Sequence, residues 1–271
     1  AKPRAFSFKN SYMTYVLLHY IMPGKKTYEP IIKKGQVVSD FERYVMDKIT
    51  AAKDKSTAEL AAKFGIETKP KNIEALLAFR LLGVKGNQCE EFEKAGIAVK
   101  TIRIKKNGTI RENMSFPPIR YQELAQETWE DCTFGNYLRE TRFLFVVYRE
   151  DDSGKYRLQG AQFWNIPVKD LNGDVRSVWQ ETHDIIANGK LILRVNRQGQ
   201  YVNNLPKKAD HPISHVRPHG KNRDDVAPLP DGTHIQIGPG VHWADDTAYT
   251  KQCFWLNNDY ILNQLDKNLK N

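Results

Sequence analysis

The stretch Glu91-Phe92-Glu93-Lys94-Ala95-Gly96-Ile97-Ala98-Val99-Lys100-Thr101-Ile102 decides how the rest of the chain is read. It passes from an acidic, helix-like segment into Ile97 to Ile104, a run with β-branched residues throughout that reads as a strand. Asn107-Gly108 follows, the strongest short hairpin signal, and predicts a returning strand from Thr109 to about Ser115.

Upstream of this stretch the periodicity is helical. Ser39-Asp40-Phe41-Glu42 has the spacing of a capping box, and Phe41, Tyr44, Val45 and Ile49 follow on one face. Ser56-x-x-Glu59 opens a second, short helix that Gly65 closes, and a third runs from Asn72 to Gly83. The segment from Phe6 to Pro23 is rich in Tyr and Leu and has no clear period. Downstream, Leu124 to Leu138 reads as a helix and Phe143 to Tyr148 as an apolar strand. Asp152-Ser153-Gly154 turns the chain into another strand from Tyr156 to Trp164. Val175, Val178, Trp179, Thr182, Ile185 and Ile186 mark an amphipathic helix ending at Asn188-Gly189, and Leu191 to Val195 is a short strand. From Gly199 to Thr250 the chain reads as loop, and a loop this long in a compact domain tends to be functional. With no linker and no internal repeat, residues 1–271 are expected to form one domain.

The 271 residues include 41 Lys+Arg against 32 Asp+Glu, a net charge of +9, which favours an acidic polymer as partner. An apolar fraction of 40% excludes wholesale disorder, and no run of 18 apolar residues marks a membrane span. Cys89, Cys132 and Cys253 are odd in number and lack metal spacing, as expected of a chain in the reducing cytoplasm. The basic start Ala1-Lys2-Pro3-Arg4 has no signal-peptide core and no initiator methionine, so the chain is expected to be a fragment of something longer.

A helix, an acidic residue, a strand carrying a lysine and an Asn-Gly turn resemble the core of PD-(D/E)xK nucleases. There, two carboxylates hold Mg²⁺ against the scissile phosphate, and a lysine two residues after the second carboxylate lies on the same strand face and orients the attacking water. The wider chain, from about Lys71 to Tyr260, resembles the MutH family. This family includes the mismatch-repair nicking enzyme and type II restriction endonucleases that cut GATC. Leu81-Leu82-Gly83, Gly96 to Ile102, Met114-Ser115-Phe116-Pro117, Val216-Arg217-Pro218 and Thr250 to Asn258 carry the resemblance. It implies an α+β fold of the MutH type, with a central mixed sheet flanked by helices.

The departures matter as much. The family's Gly-Val/Ile-Glu-Leu-Lys-Thr is Gly96-Ile97-Ala98-Val99-Lys100-Thr101 here, so the second metal-binding carboxylate is replaced by Ala98. Glu91 stands at the aspartate position, and a further family glutamate falls around Phe79. Mg²⁺ demands near-octahedral placement by its carboxylates, so Glu91 and Lys100 are expected to be vestigial, with no metal bound by this domain. A competing assignment keeps an active nuclease in which Glu90 or Glu93 supplies the missing acid.

The family's Arg-Pro-Lys loop and a later aromatic residue approach the bases. By resemblance these are Arg217, Pro218 and His219, with Lys221 and Arg223 suited to phosphates and Trp255 at the aromatic position. Trp255 could instead be core, since Phe254 and Leu256 flank it, and Arg217 could pair with Asp210, Asp224 or Asp225. His211, His215 and His219 are spaced four apart, but Pro212, Pro218 and Gly220 argue against the helix that a zinc site at that spacing needs.

The resemblance implies the C-terminal half of a two-domain enzyme. This half would bind duplex DNA containing GATC and act as an allosteric effector for the N-terminal catalytic domain, with a homodimer forming on DNA. Mg²⁺ would serve the parent enzyme only. The remaining competitors are a helix-turn-helix regulator over Ala58 to Leu82, reading DNA with Lys69, Lys71 and Asn72, and a purely structural dimerisation module.

Overall fold

The computed structural model describes residues 8–22, 28–67 and 70–270. Among them the strands are β1 (Ile97–Ile104), β2 (Met114–Pro118), β3 (Arg142–Glu150), β4 (Tyr156–Trp164), β5 (Ile192–Val195), β6 (Tyr201–Asn203), β7 (Ser214–Pro218), β8 (Val226–Pro228), β9 (Gln236–Ile237), β10 (Ala248–Thr250) and β11 (Gln252–Leu256). The chain divides into two compact units: residues 1–111, 140–165 and 264–271, and residues 112–139 and 166–263. The sequence shows no linker, and none is needed. Each unit is discontinuous, so the chain passes between them four times.

In the first unit β1 runs parallel to β3, and β3 runs antiparallel to β4. Adjacent parallel strands require a long crossover, here residues 105–141. Leu144, Val146, Tyr148, Leu158 and Phe163 point to one face of this sheet, where they join Val45, Ile49, Leu60, Leu77, Phe79 and Phe92 in one apolar core. Those partners sit on the helices Phe41–Thr50, Thr57–Lys63, Ile73–Leu81 and Glu90–Ala95. The Tyr- and Leu-rich segment before them is helical, with Asn10–Val16 α-helical and Leu17–Ile21 a π turn; Phe6 and Pro23 lie outside the described residues.

Local chemistry sets the ends of these helices. The Asp40 carboxylate accepts from the Arg43 amide at 3.0 Å, so Asp40 and not Ser39 is the cap of the first. Ser56 and Glu59 form the expected reciprocal capping box. Gly96 ends the Glu90–Ala95 helix at φ +67°. A Cβ there would meet Ser11 Oγ at 3.1 Å and the Glu140 carbonyl at 3.2 Å, so both conformation and space demand glycine.

Three expectations need correction here. The Asn107-Gly108 turn forms, with the Gly108 amide donating to the Lys105 carbonyl, but no returning strand follows it. Pairing stops at a single bridge between Ile104 and Ile110, and the chain leaves to form β2 in the second unit. The helix read over 124–138 is two helices, Tyr121–Leu124 and Thr133–Glu140, because the Glu127 carboxylate accepts from the Thr133 amide at 2.9 Å and restarts the helix there. The Ile73–Leu81 helix buries Glu74, Leu77, Ala78 and Phe79 and packs into the core of the first unit, as a core helix does and not as a DNA-recognition helix would. Lys71 and Asn72 precede it, and Lys69 lies outside the described residues.

In the second unit β11 is the centre of an antiparallel sheet in the order β2-β11-β7. Two smaller sheets, β6-β5-β9 and β10-β8, accompany it. The segment read as loop from Gly199 to Thr250 therefore holds five strands. Each is only two to five residues long, too short for alternation to show in a sequence. The amphipathic helix runs over Arg176–Ala187, preceded by a π turn over Leu171–Val175. Among the described residues no helix is long and apolar enough to cross a membrane.

Candidate functional site

In the first unit, register fixes what surrounds Lys100. Ala98, Lys100 and Ile102 of β1 share a face with Phe143, Phe145 and Val147 of β3, and with Trp164, Gln162 and Gly160 of β4. No aspartate or glutamate stands among these strand residues. Phe143 and Phe145 are fully buried, with ring centroids 6.3 Å apart, and Phe145 stacks on Trp164 at 5.2 Å. Burial in this surrounding pushes the Lys100 ammonium below its ordinary pKa.

Glu91 lies on the Glu90–Ala95 helix, and both its oxygens are in use. One accepts from the Ile31 amide and the other from the Ile32 amide, each at 2.9 Å. Glu90 accepts from Lys94 at 2.5 Å and from the Tyr15 hydroxyl at 2.9 Å. Phe79, at the family's further glutamate position, is a core aromatic 6.0 Å from the Phe92 ring. These residues do not fit a divalent metal. Ala98 offers no ligand atom, and Glu91 would have to release two backbone amides to provide one. Among the described residues no group of three or more His, Cys, Asp or Glu is placed to hold an ion.

The second unit brings the base-reading candidates together. Trp255 pairs with His215, and Cys253 with Arg217, so Trp255 and Arg217 emerge on one face of the β7–β11 pair. The Arg217 guanidinium lies over the Trp255 ring at 5.2 Å, and the indole Nε1 donates to the Arg217 carbonyl at 3.4 Å. His219 meets the same ring edge-on at 5.8 Å, and Arg217, Pro218 and His219 are all exposed. The neighbour Phe254 points the other way and stacks on Phe134 at 4.3 Å. Trp255 is thus half-buried beside Arg217 and is not the core aromatic of this strand; Phe254 is. Two of the three acids named as partners for Arg217 are engaged elsewhere, Asp225 with Lys251 at 2.5 Å and Asp224 with Arg223 at 3.4 Å.

The three histidines occupy different surroundings. His211 bonds Asp174 at 3.2 Å and Glu181 at 3.3 Å. His215 is buried and donates Nδ1–H to Asn257 Oδ1 at 2.5 Å, with burial holding its pKa down at about 4. A neutral imidazole therefore sits behind Trp255, fixed by an amide that itself donates to the His211 carbonyl at 2.8 Å.

The loop after Pro218 is held by backbone bonds. The His219 and Gly220 amides both donate to the Lys251 carbonyl, and the Lys221 amide donates to Asp225. A Cβ on Gly220 would lie 2.9 Å from the Asn222 carbonyl, so the turn closes only around glycine. Lys221 and Arg223 are exposed. Arg223 does not join Arg217 on Trp255; it lies over Tyr201 at 5.2 Å and Trp243 at 5.8 Å. No local signal marks Tyr201 or Trp243, which reach Arg223 from positions about 20 residues to either side in sequence. All three cysteine thiols are buried and raised, Cys89 to about 12 and the others to about 11, which leaves them protonated and unreactive.

A mixed three-stranded sheet with helices on one face and a lysine on the other, and a separate unit presenting arginine on tryptophan, describe a nuclease-like domain. Residues 83–173 match the MutH family, described as the DNA mismatch repair enzyme MutH, and the chain carries a domain of that family. Over 98% of its length the chain is also 34% identical to the type II restriction enzyme Sau3AI of Staphylococcus aureus. It spans about 60% of the length of that relative.

Proposed function

We propose that this chain is a DNA-binding, catalytically degenerate part of a type II restriction endonuclease that recognises duplex 5'-GATC-3'. One observation carries the reading. Arg217 is exposed, free of the nearby acids and oriented on Trp255, while the strand face that bears Lys100 holds no carboxylate. Arg217 has the geometry to donate in a bidentate manner to guanine O6 and N7, with Trp255 and His219 bordering it. Lys221 and Arg223 take phosphates, which set register without reading sequence.

In this reading the chain binds a second copy of the site. It thereby supports cleavage and dimerisation by a separate catalytic half of the parent, in the cytoplasm. Hydrolysis and its Mg²⁺ belong to that half. Here Ala98 supplies no ligand, and losing the charge stabilisation of a metal removes many decades of rate.

The test is a gel-shift and plasmid-nicking comparison of GATC against a scrambled duplex, with and without Mg²⁺. Salt-dependent binding without cutting is expected. Specific cutting that disappears in Lys100→Ala would overturn the degenerate assignment. Arg217→Ala should weaken GATC binding by roughly 1–3 kcal/mol and leave a random duplex nearly unchanged. An equal loss on both would make Arg217 a phosphate contact.

A further inference from the structure

Arg217 and Arg223 bound the same short loop, and each guanidinium lies against aromatic rings, but the two settings differ. Arg217 rests on one ring, whereas Arg223 lies against two, Tyr201 at 5.2 Å and Trp243 at 5.8 Å.

Each member of the Tyr201–Arg223–Trp243 cluster is pinned through a polar atom. The Tyr201 hydroxyl accepts from the His242 amide at 2.8 Å and donates to the His242 carbonyl at 3.3 Å. The Trp243 indole donates to the Ala248 carbonyl at 3.0 Å, and its ring packs on Tyr249 at 5.6 Å. The Arg223 carbonyl accepts from Thr250 Oγ1 at 2.6 Å, and Thr250 is a buried residue of β10. Asp224 meets the guanidinium at Nε, 3.4 Å away. Trp243 also lines a cleft of about 590 Å³ that opens beside Arg223 and includes Val226, Ile237 and Val241.

We infer that Tyr201 and Trp243 are positioning residues that hold the Arg223 guanidinium in advance for a backbone phosphate of duplex DNA. The inference rests on the DNA-binding reading and deepens it. A guanidinium held beside aromatic rings but still exposed keeps its terminal N–H groups for in-plane donation to phosphate oxygens. A free arginine must be ordered when it binds, which weakens the complex; one held by rings has already lost that freedom. The cluster explains why Tyr201 and Trp243, distant in sequence and outside the Arg217–Trp255 face, are both tied to backbone carbonyls or amides around Arg223.

The experiment measures affinity for a GATC duplex against salt in the full chain and in four variants, with melting curves confirming that each is folded. Arg223→Ala should lower the slope of log K against log salt by about 0.9, the value of one phosphate contact. Trp243→Leu should weaken binding about threefold to tenfold through the loss of a pre-ordered side chain, and Trp243→Phe, which keeps a ring, should stay within about twofold. The double variant Arg223→Ala/Trp243→Leu should bind no worse than Arg223→Ala alone, because the ring acts only through the arginine. A merely structural tryptophan would weaken the double variant further, and that result overturns the inference, as does an unchanged affinity in Trp243→Leu. Wild-type chain with no salt-dependent binding overturns the DNA-binding reading itself. Salt-dependent wild-type binding with additive variants overturns only the role of the rings.

Discussion

The β1–β3–β4 sheet of the first unit and the β2–β11–β7 sheet of the second each carry a cationic side chain beside aromatic rings, with opposite consequences. Lys100 lies on a face with Phe143 and Phe145, where burial disfavours its charge. Arg217 lies over Trp255 at an exposed edge, where the ring supports the charge and water still reaches it. Partial burial among aromatic rings disfavours the ammonium of Lys100. An exposed arginine on a ring keeps its N–H edge available to a partner outside the protein. Under the proposed function, metal chemistry and binding chemistry belong to separate sheets, so the one can be lost without disturbing the other.

The sharpest test of that separation uses two neighbours on β11. Phe254→Ala removes a ring stacked on Phe134 in the core and should cost about 3–5 kcal/mol of stability in urea denaturation. Trp255→Ala, one residue on and facing outward, should cost about 1 kcal/mol or less while lowering DNA affinity about tenfold. If Trp255→Ala proved as destabilising as Phe254→Ala, the surface assigned to binding would be core instead.

A second test addresses the support behind that surface. The folded chain holds His215 at about 4, while unfolding returns it to about 6.5. As pH falls from 6.5 to 4 the unfolded chain takes up a proton that the folded chain refuses, so this contribution to stability is lost across that window. The loss amounts to roughly 3 kcal/mol. Urea midpoints at pH 7 and 4.5 should diverge more for the wild type than for His215→Gln, which has no proton to gain. Equal divergence would mean that His215 titrates freely.

The smallest effect concerns the lysine. Lys100→Met keeps the aliphatic length on that strand face and should leave stability within about 1 kcal/mol of the wild type in thermal denaturation. A larger drop would show that the ammonium does structural work there, and the two cationic sites would then differ less than their surroundings suggest.

Much of the frame was legible locally. The Ser56–Glu59 box and the strands Ile97–Ile104 and Tyr156–Trp164 formed as read, because caps and strand periodicity act over a few residues. The returning strand after Asn107-Gly108 did not, because a turn signal specifies a reversal and not a partner, and β1 found its partner in β3. The five short strands after Gly199 carried too few residues for a period to register.

By itself the sequence determined that Ala98 cannot be a ligand, that the chain is basic, and that helices precede the Lys100 strand. Those are properties of residue type and short-range order, fixed before any long-range contact forms. Only the tertiary structure decided that Glu91 is tied to the Ile31 and Ile32 amides, that Trp255 faces outward while Phe254 faces in, and that Tyr201 and Trp243 close on Arg223. The physical reason is that strand alternation assigns neighbours to opposite faces, but only packing chooses which face is buried. Contacts between residues far apart in sequence leave no period, cap or turn from which they could be read.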